Sequence, residues 1–476
     1  MKNPLFIESA YLNGAFINSD KTFEIINPST LKSIGKLPDL NVKDCQKYIN
    51  ASHKAWLSWK DTSIDYRSKI LRKLFNLVND NMDYLAEIMT LESGKPLSES
   101  KTEVSYANSF IEWFAEEAKR SYGETIPTLN GANKLMTIKQ GVGVVAAITP
   151  WNFPLAMITR KLAPALAAGC TVVLKPASQT PFSAIALAKL AEEAGVPKGV
   201  FNVITSKDSK GIGKELATND LIRKLTFTGS TEVGKTLMEQ AASTIKRISL
   251  ELGGNAPFIV FNEADIDKAV EGAIAGKFRN TGQTCVSINR FYVQDSVYDQ
   301  FAEKLTKAVK GLVVSDGLKK GAQVGPLINE SGLEKVKLHV QDAIDKGAKV
   351  ETGGKPIKGL FFEPTVLSNV SNSSLISSEE TFGPICALFK FKTEEEAIQL
   401  ANDTPFGLAS YFYSENVKQC FRIAEQLEAG MVGINTGLIS NASAPFGGVK
   451  QSGLGREGSK YGLEEYLEIK YLCFGN

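Results

Sequence analysis

"GVVAAITPWNFPLAMITRKLAPALAAGCTVVLKPASQTP", residues 143–181, carries the alternation that decides the fold. "GVVAAIT" (143–149) is a short apolar run of the kind that forms a buried strand. "LAMITRKLAPALAAG" (155–169) reads as a helix ended by Gly169, with Pro164 as a point of kinking. "TVVLK" (171–175) is a strand again. The pattern continues outward. "TPFSAIALAKLAEEAG" (180–195) reads as a helix with Thr180 as N-cap, Pro181 at its first position and Gly195 at its end. "VFNVI" (200–204), "KLTFT" (224–228) and "RISLEL" (247–252) follow as strands, separated by helices near 210–218 and at "STEVGKTLMEQAAS" (230–243). Such alternation predicts right-handed crossovers and a doubly wound, largely parallel sheet. A second series starts at "APFIVF" (256–261), with a helix over 265–280, a strand "RFYVQ" (290–294) and a helix over 296–311. The fold class is therefore α/β. The Gly-rich "PFGGVKQSGLGREGSKYG" (445–462) reads as a loop.

At 476 residues the chain is too long for one ordinary core and suits roughly two or three domains. Lys plus Arg number 54 against 52 for Asp plus Glu, so no bulk charge points to nucleic acid or to an anionic membrane surface. The N-terminal "MKNPLFIESAYLNG" lacks the apolar core of a signal peptide, and no apolar run is long enough to span a bilayer. A cytoplasmic location is expected. The 6 cysteines contain no C-x-x-C pair, which argues against a disulfide framework or a zinc site, and no metal is expected. With only 2 histidines, neither in a motif, acid–base chemistry rests on Glu, Lys, Tyr or water.

Several residues stand out on local grounds. "GVGVVA" (141–146) fits G-x-G-x-x-A but precedes its strand, where a dinucleotide fingerprint follows one. "FTGSTEVG" (227–234) is the better phosphate site, because a strand runs into Gly229 and Ser230 just where a helix starts; a Ser-capped turn has the same signature. Lys175 and Ser178, with no acid between them, could hold a ribose 2′-phosphate at a strand end. Cys285 lies in "RNTGQTCVS" (279–287), a stretch too polar for a buried structural thiol and suited to a partly exposed nucleophile whose thiolate is supported. Glu251, between Leu250 and Leu252, is placed for desolvation and a raised pKa. Asn152, between Trp151 and Phe153, offers a fixed amide as an oxyanion donor, or simply closes a Pro-bounded turn. Arg160 and Arg279 could together bind a carboxylate; exposed helical arginines are the plainer alternative.

Taken as a set, "TPWNFPLAMITRKLAPALAAGCTVVLKPASQTP", "FTGSTEVG", "LELGGNAPFIVF", "FRNTGQTC", "EETFGP" and "PFGGVKQSGLGRE" resemble the aldehyde dehydrogenase superfamily in order and spacing, from about residue 10 to the end. The resemblance implies Cys285 as nucleophile, Glu251 as general base, and Asn152 with the Cys285 N–H as oxyanion hole. It implies cofactor contacts at Trp151, Lys175, Pro176, Ala177, Ser178, Gly229, Ser230, Leu252, Glu380 and Phe382, and a proton-relay role for Glu457. "MITRK", "KFRNTGQTC" and "GLISN" resemble succinate-semialdehyde dehydrogenases, which adds Ser440 to Arg160 and Arg279 as carboxylate contacts. Glutarate semialdehyde is the near alternative, acyl transfer to coenzyme A a rival fate of the thioester, and a non-catalytic binding protein on this fold a rival of another class. The Lys175–Ser178 pair resembles members that prefer NADP, with NAD usable. Some relatives carry a second Cys two residues after the nucleophile; Ser287 stands there, so no local redox switch is expected.

The same resemblance implies a cofactor domain over 1–121 and 142–253 with 442–466 nearby, and a catalytic domain over 254–441. A β-hairpin oligomerisation arm at 122–141 with the tail 467–476 completes the architecture. A homodimer or homotetramer is expected.

Overall fold

The computed structural model describes residues 3–129, 131 and 133–475; positions 130, 132 and 476 of the expected arm and tail lie outside the described residues. The alternation read from 143–251 forms the centre of an eight-stranded sheet. Five parallel strands lie in the spatial order Phe201–Val203, Thr171–Lys175, Val144–Ile148, Ile222–Thr228 and Arg247–Glu251. Strand order reverses between Val144–Ile148 and Ile222–Thr228. In an open α/β sheet a crevice opens beyond the carboxyl ends of the strands at such a switch point. Antiparallel strands close both edges: Ala10–Leu12 with Ala15–Ile17 on one side, Gly453–Leu454 on the other.

The second series forms a seven-stranded sheet around the parallel strands Thr365–Ser368, Ile385–Phe391, Ile288–Gln294, Ala256–Val260, Ala409–Tyr413 and Met431–Ile434. Apolar clusters cover both faces of each sheet, which is why the central strands read as unbroken apolar runs. Residues 252–255 lead from the carboxyl end of the first sheet directly into the amino end of the second. The two sheets therefore face each other carboxyl edge to amino edge. Leu467–Gly475, Asn133–Gly141 and Thr125–Ile126 make a separate three-stranded antiparallel sheet with Ile469, Tyr471 and Phe474 exposed.

Two local expectations change. The helix after Thr171–Lys175 runs Phe182–Ala194, and Thr180 does not cap it. The buried carboxylate of Glu92 accepts the Phe182 N–H at 2.7 Å and the Ser183 N–H at 3.0 Å instead, while the Thr180 hydroxyl donates to the Trp151 carbonyl at 3.3 Å. A cap supplied by a distant helix leaves no local sequence signal. The Gly-rich 445–462 is not one loop: it contributes Val449–Lys450, the edge strand Gly453–Leu454 and the helix Ser459–Glu464. Glu92→Ala strips two buried N–H groups of their acceptor and is expected to destabilise the chain by about 1–3 kcal/mol, read as a lowered urea midpoint; an unchanged midpoint would mean water replaces the cap.

Candidate active site

The segments that leave the switch-point strands meet across a cleft of about 410 Å³. Trp151 and Asn152 come from the first strand, Gly229 and Ser230 from the second, and Leu252 from the linker between the sheets. Glu380 and Phe382 form the opposite wall and Cys285 lies at the floor. Ser230 caps the helix Thr231–Ala241, with its hydroxyl oxygen 3.4 Å from the Val233 N–H, so other first-turn N–H groups remain open toward the cleft. Glu380 accepts the Gly254 N–H at 3.2 Å, and burial pushes its pKa up to about 7. Phe382 is held at φ 56°, edge-on to Trp151 with centroids 5.5 Å apart.

Lys175, Pro176, Ala177 and Ser178 are not in the wall of this cleft. They sit at the carboxyl end of the adjoining strand, where Ile148 pairs with Lys175. Lys175 is buried, and desolvation pushes its pKa down to about 8; its ammonium has one long bond, to the Pro176 carbonyl at 3.4 Å. Ser178 is half-buried, 3.4 Å from the Gln179 amide oxygen.

A second, narrow pocket of about 10 Å³ opens on the other side of Cys285. Arg160, Arg279 and Ser440 line it with Tyr106 and the Phe153 and Phe446 rings. Cys285 is thus the residue shared by both cavities. Cys285 is half-buried, as its polar stretch suggested, while its surroundings disfavour the thiolate. Burial pushes the Cys285 thiol up to about 12, with Arg160 pulling against it and Glu251 adding to it. Polar neighbours in the chain turn inward to hold the loop, not outward to solvate the sulfur: the Gln283 amide donates to the Asn280 and Pro326 carbonyls at 3.1 and 3.3 Å, and the Thr281 hydroxyl to the Gly325 carbonyl at 3.1 Å.

Asn152 is fixed on both sides. Its amide Nδ2 donates to the Gln283 carbonyl at 3.2 Å, and its Oδ1 accepts the Phe153 N–H at 3.0 Å. One amide hydrogen is left for a ligand. Glu251 is buried with neither oxygen hydrogen-bonded to the protein among the described residues. Burial, then the charge of Glu457, pushes its pKa up to about 8, while Arg160, Lys161 and Arg456 pull it down. A side chain at Gly447 would put its Cβ 3.0 Å from the Glu251 Oε1, so glycine there keeps the carboxylate's space open.

Arg160 is not the free cation its position suggested. Its guanidinium pairs with Glu457, lies 3.8 Å from Glu251 and stacks 4.4 Å from the Phe446 ring centroid. Glu457 also pairs with Lys161, whose ammonium donates to the Thr228 hydroxyl at 2.7 Å. Arg279, by contrast, lies 5.1 Å from the Phe153 ring and has no carboxylate within 4 Å among the described residues. Sequence reasoning passed over Lys335 in the cleft wall, Tyr106 in the narrow pocket, and the buried charges Lys95 and Glu103 behind Asn152. Lys95, Glu99 and Glu103 carried only a weak signal, charges spaced by four residues at and just before a helix start, the spacing that puts side chains on one face.

The switch point of the first sheet and the linker into the second set one cysteine between a cleft and an arginine-lined pocket, an arrangement suited to an oxidoreductase that works through a thiol. Residues 16–472 match the aldehyde dehydrogenase family, and the chain belongs to that family. It is 58% identical over 471 residues to a glutarate-semialdehyde dehydrogenase of Pseudomonas putida, covering 98% of each chain. It is also 58% identical over 475 residues to the NADP-linked succinate-semialdehyde dehydrogenase of Escherichia coli, covering 99% of this chain and 98% of that one. The crystal structure of a succinate-semialdehyde dehydrogenase from Burkholderia pseudomallei superposes with a TM-score of 0.99 at 55% identity over 100% of both chains. The chain is therefore an NAD(P)-dependent aldehyde dehydrogenase.

With the thiol held neutral, alkylation of Cys285 by iodoacetamide in the cofactor-free protein should accelerate about tenfold per pH unit between pH 7 and 9. A rate already at its plateau by pH 8 would show a thiolate stabilised in the resting site.

Proposed function

We propose that the protein oxidises succinate semialdehyde to succinate, with NADP preferred and NAD usable. The observation that carries this reading is the place of Cys285 between the switch-point cleft and a pocket whose Arg279 has no carboxylate partner among the described residues. In this reading Arg279 and Ser440 bind the remote carboxylate, and Arg160 adds its field while paired to Glu457. Glutarate semialdehyde is the second reading. The relatives carry both names, and one methylene changes binding by only about 1–3 kcal/mol.

The chain's own groups account for the chemistry as follows. The Cys285 sulfur attacks the aldehyde carbon as its proton passes to Glu251, whose pKa near 8 lets it both take and return a proton around neutrality. The free Asn152 amide hydrogen and the Cys285 N–H hold the oxyanion. Nicotinamide dinucleotide, when bound, supplies the hydride acceptor. Glu251 gives up the first proton to solvent and, as a carboxylate again, deprotonates the water that opens the resulting Cys285 thioester, then returns that proton to the leaving sulfur, so that the carboxylic acid and the thiol are released. A buried base beside the thioester favours hydrolysis over transfer to coenzyme A.

The residues fit the cofactor. Gly229 and the open N–H groups above Ser230 suit a pyrophosphate, Trp151, Leu252, Glu380 and Phe382 the nicotinamide end, and Lys175, Pro176, Ala177 and Ser178 the adenosine ribose. A lysine and a serine without an acid suit a 2′-phosphate. The cofactor domain is then 1–121 and 142–253 with 442–466, and the catalytic domain 254–441. The arm, 122–141 with 467–476, presents exposed Ile469, Tyr471 and Phe474 for a homodimer or homotetramer. Among the described residues no helix is long and apolar enough to cross a membrane, and a cytoplasmic enzyme is the simplest reading.

Steady-state kinetics with succinate semialdehyde and a neutral aldehyde of equal length test the substrate assignment. The semialdehyde should lead by at least 100-fold in kcat/KM, and Arg279→Ala should remove that lead while sparing the neutral aldehyde. Equal rates for both aldehydes in the unmodified enzyme would reopen the substrate. Ser178→Glu should shift preference from NADP toward NAD by at least tenfold; an unchanged cofactor ratio would place the 2′-phosphate elsewhere.

A further inference from the structure

Lys95, Glu99 and Glu103 form one stripe where the chain enters and runs along the helix Leu97–Glu117, spaced by four residues. Two of them reach the segment around Asn152 and one the turn before Cys285. Lys95 pairs with Glu103 and donates to the Asn152 carbonyl at 2.6 Å. Glu103 accepts the Leu155 and Ala156 N–H groups at 3.0 and 3.2 Å, at the start of the helix Ala156–Ala167. Glu99 accepts the Asn280 N–H at 2.8 Å, in the turn that carries Cys285.

That turn is strained. The helix Ile266–Phe278 ends at Arg279, and Asn280, Thr281 and Gly282 follow with φ of 51°, 61° and 76°. Glycine tolerates the left-handed region and asparagine often does. A β-branched threonine does not, so the surroundings must hold it in place. The turn sets where the Gln283 carbonyl, the Asn152 amide and Cys285 lie, since Asn280 Nδ2 donates to the Asn152 and Gln283 carbonyls at 3.0 and 3.1 Å. With the helix broken at 279, the Asn280 N–H has lost its helical acceptor, and Glu99 supplies the replacement from another element.

We propose that Glu99 is a positioning residue for catalysis, acting through its hydrogen bond to the Asn280 N–H to hold the left-handed turn that places Cys285 and the Asn152 amide for attack. Burial pushes Glu99 up to about 7, with the Asn280 bond and the charges of Lys95 and Arg279 pulling it down and Glu103 adding to it. Either protonation state keeps an oxygen to accept the N–H, so the acceptor and not the charge is what the turn requires. This assignment rests on Cys285 being the nucleophile.

Turnover of the full-length enzyme, measured with succinate semialdehyde and with a neutral aldehyde, tests it. Glu99→Ala should lower kcat at least tenfold with both aldehydes while leaving the KM for NADP within twofold. Glu99→Gln, which retains an acceptor oxygen, should stay within threefold of the unmodified kcat; a generally weakened fold would not show that rescue. Glu99→Ala within threefold of the unmodified kcat overturns the proposal, and so does Glu99→Gln falling as far as Glu99→Ala. If Glu99→Ala does not fold, Glu99→Asp, whose carboxylate is withdrawn by one methylene, takes its place with the same thresholds. Cys285→Ser is the separate control: retained turnover there overturns the nucleophile reading, and this assignment with it, whatever the Glu99 variants do.

Discussion

Four buried charges meet behind the catalytic segments, and the site depends on their balance. Glu457 holds both Arg160 and Lys161, and Arg160 lies 3.8 Å from Glu251. Opposite charges paired at this depth make burying them tolerable; removing Glu457 would strand two cations at a cost of about 3–5 kcal/mol. Burial, and then the charge of Glu457, raises the Glu251 pKa against the pull of Arg160. Arg279 stands outside this cluster and has no carboxylate within 4 Å among the described residues.

The facing of the two sheets explains why the cluster lies where it does. Glu251 ends a strand of the first sheet, and Cys285 precedes a strand of the second. Linker 252–255 brings the carboxyl edge of one against the amino edge of the other. The cleft at the switch point and the pocket lined by Arg279 then fall on opposite sides of one sulfur. Precision at that sulfur comes from a rigid frame: a turn with three left-handed residues, an amide held from two directions, and a stripe of buried charges from a helix more than 100 residues away in sequence.

Much of this was legible beforehand because its causes are local. Apolar runs such as 144–148 and 171–175 announce buried parallel strands through burial on both faces, and the Gly229–Ser230 turn announces a helix start through its capping residue. Cys285, Glu251 and Asn152 could be named from their immediate neighbours and from the order of their motifs. The cap of 182–194 could not, since Glu92 comes from elsewhere in the chain. The partners of Arg160 could not either: nothing near residue 160 reveals a carboxylate at residue 457. Nor could the state of Cys285, because polar neighbours look alike in sequence whether they solvate a thiol or fold back on their own loop.

By itself, then, the sequence determined the α/β class and the parallel core strands and singled out Cys285, Glu251 and Asn152 as candidates, since each follows from short-range pattern and side-chain chemistry. Tertiary structure alone decided that Arg160 is paired with Glu457 while Arg279 has no carboxylate within 4 Å among the described residues, and that burial pushes both the Cys285 thiol and the Glu251 carboxyl up. Those properties are set by desolvation and by charges brought together across long stretches of chain, and both depend on where distant segments come to rest.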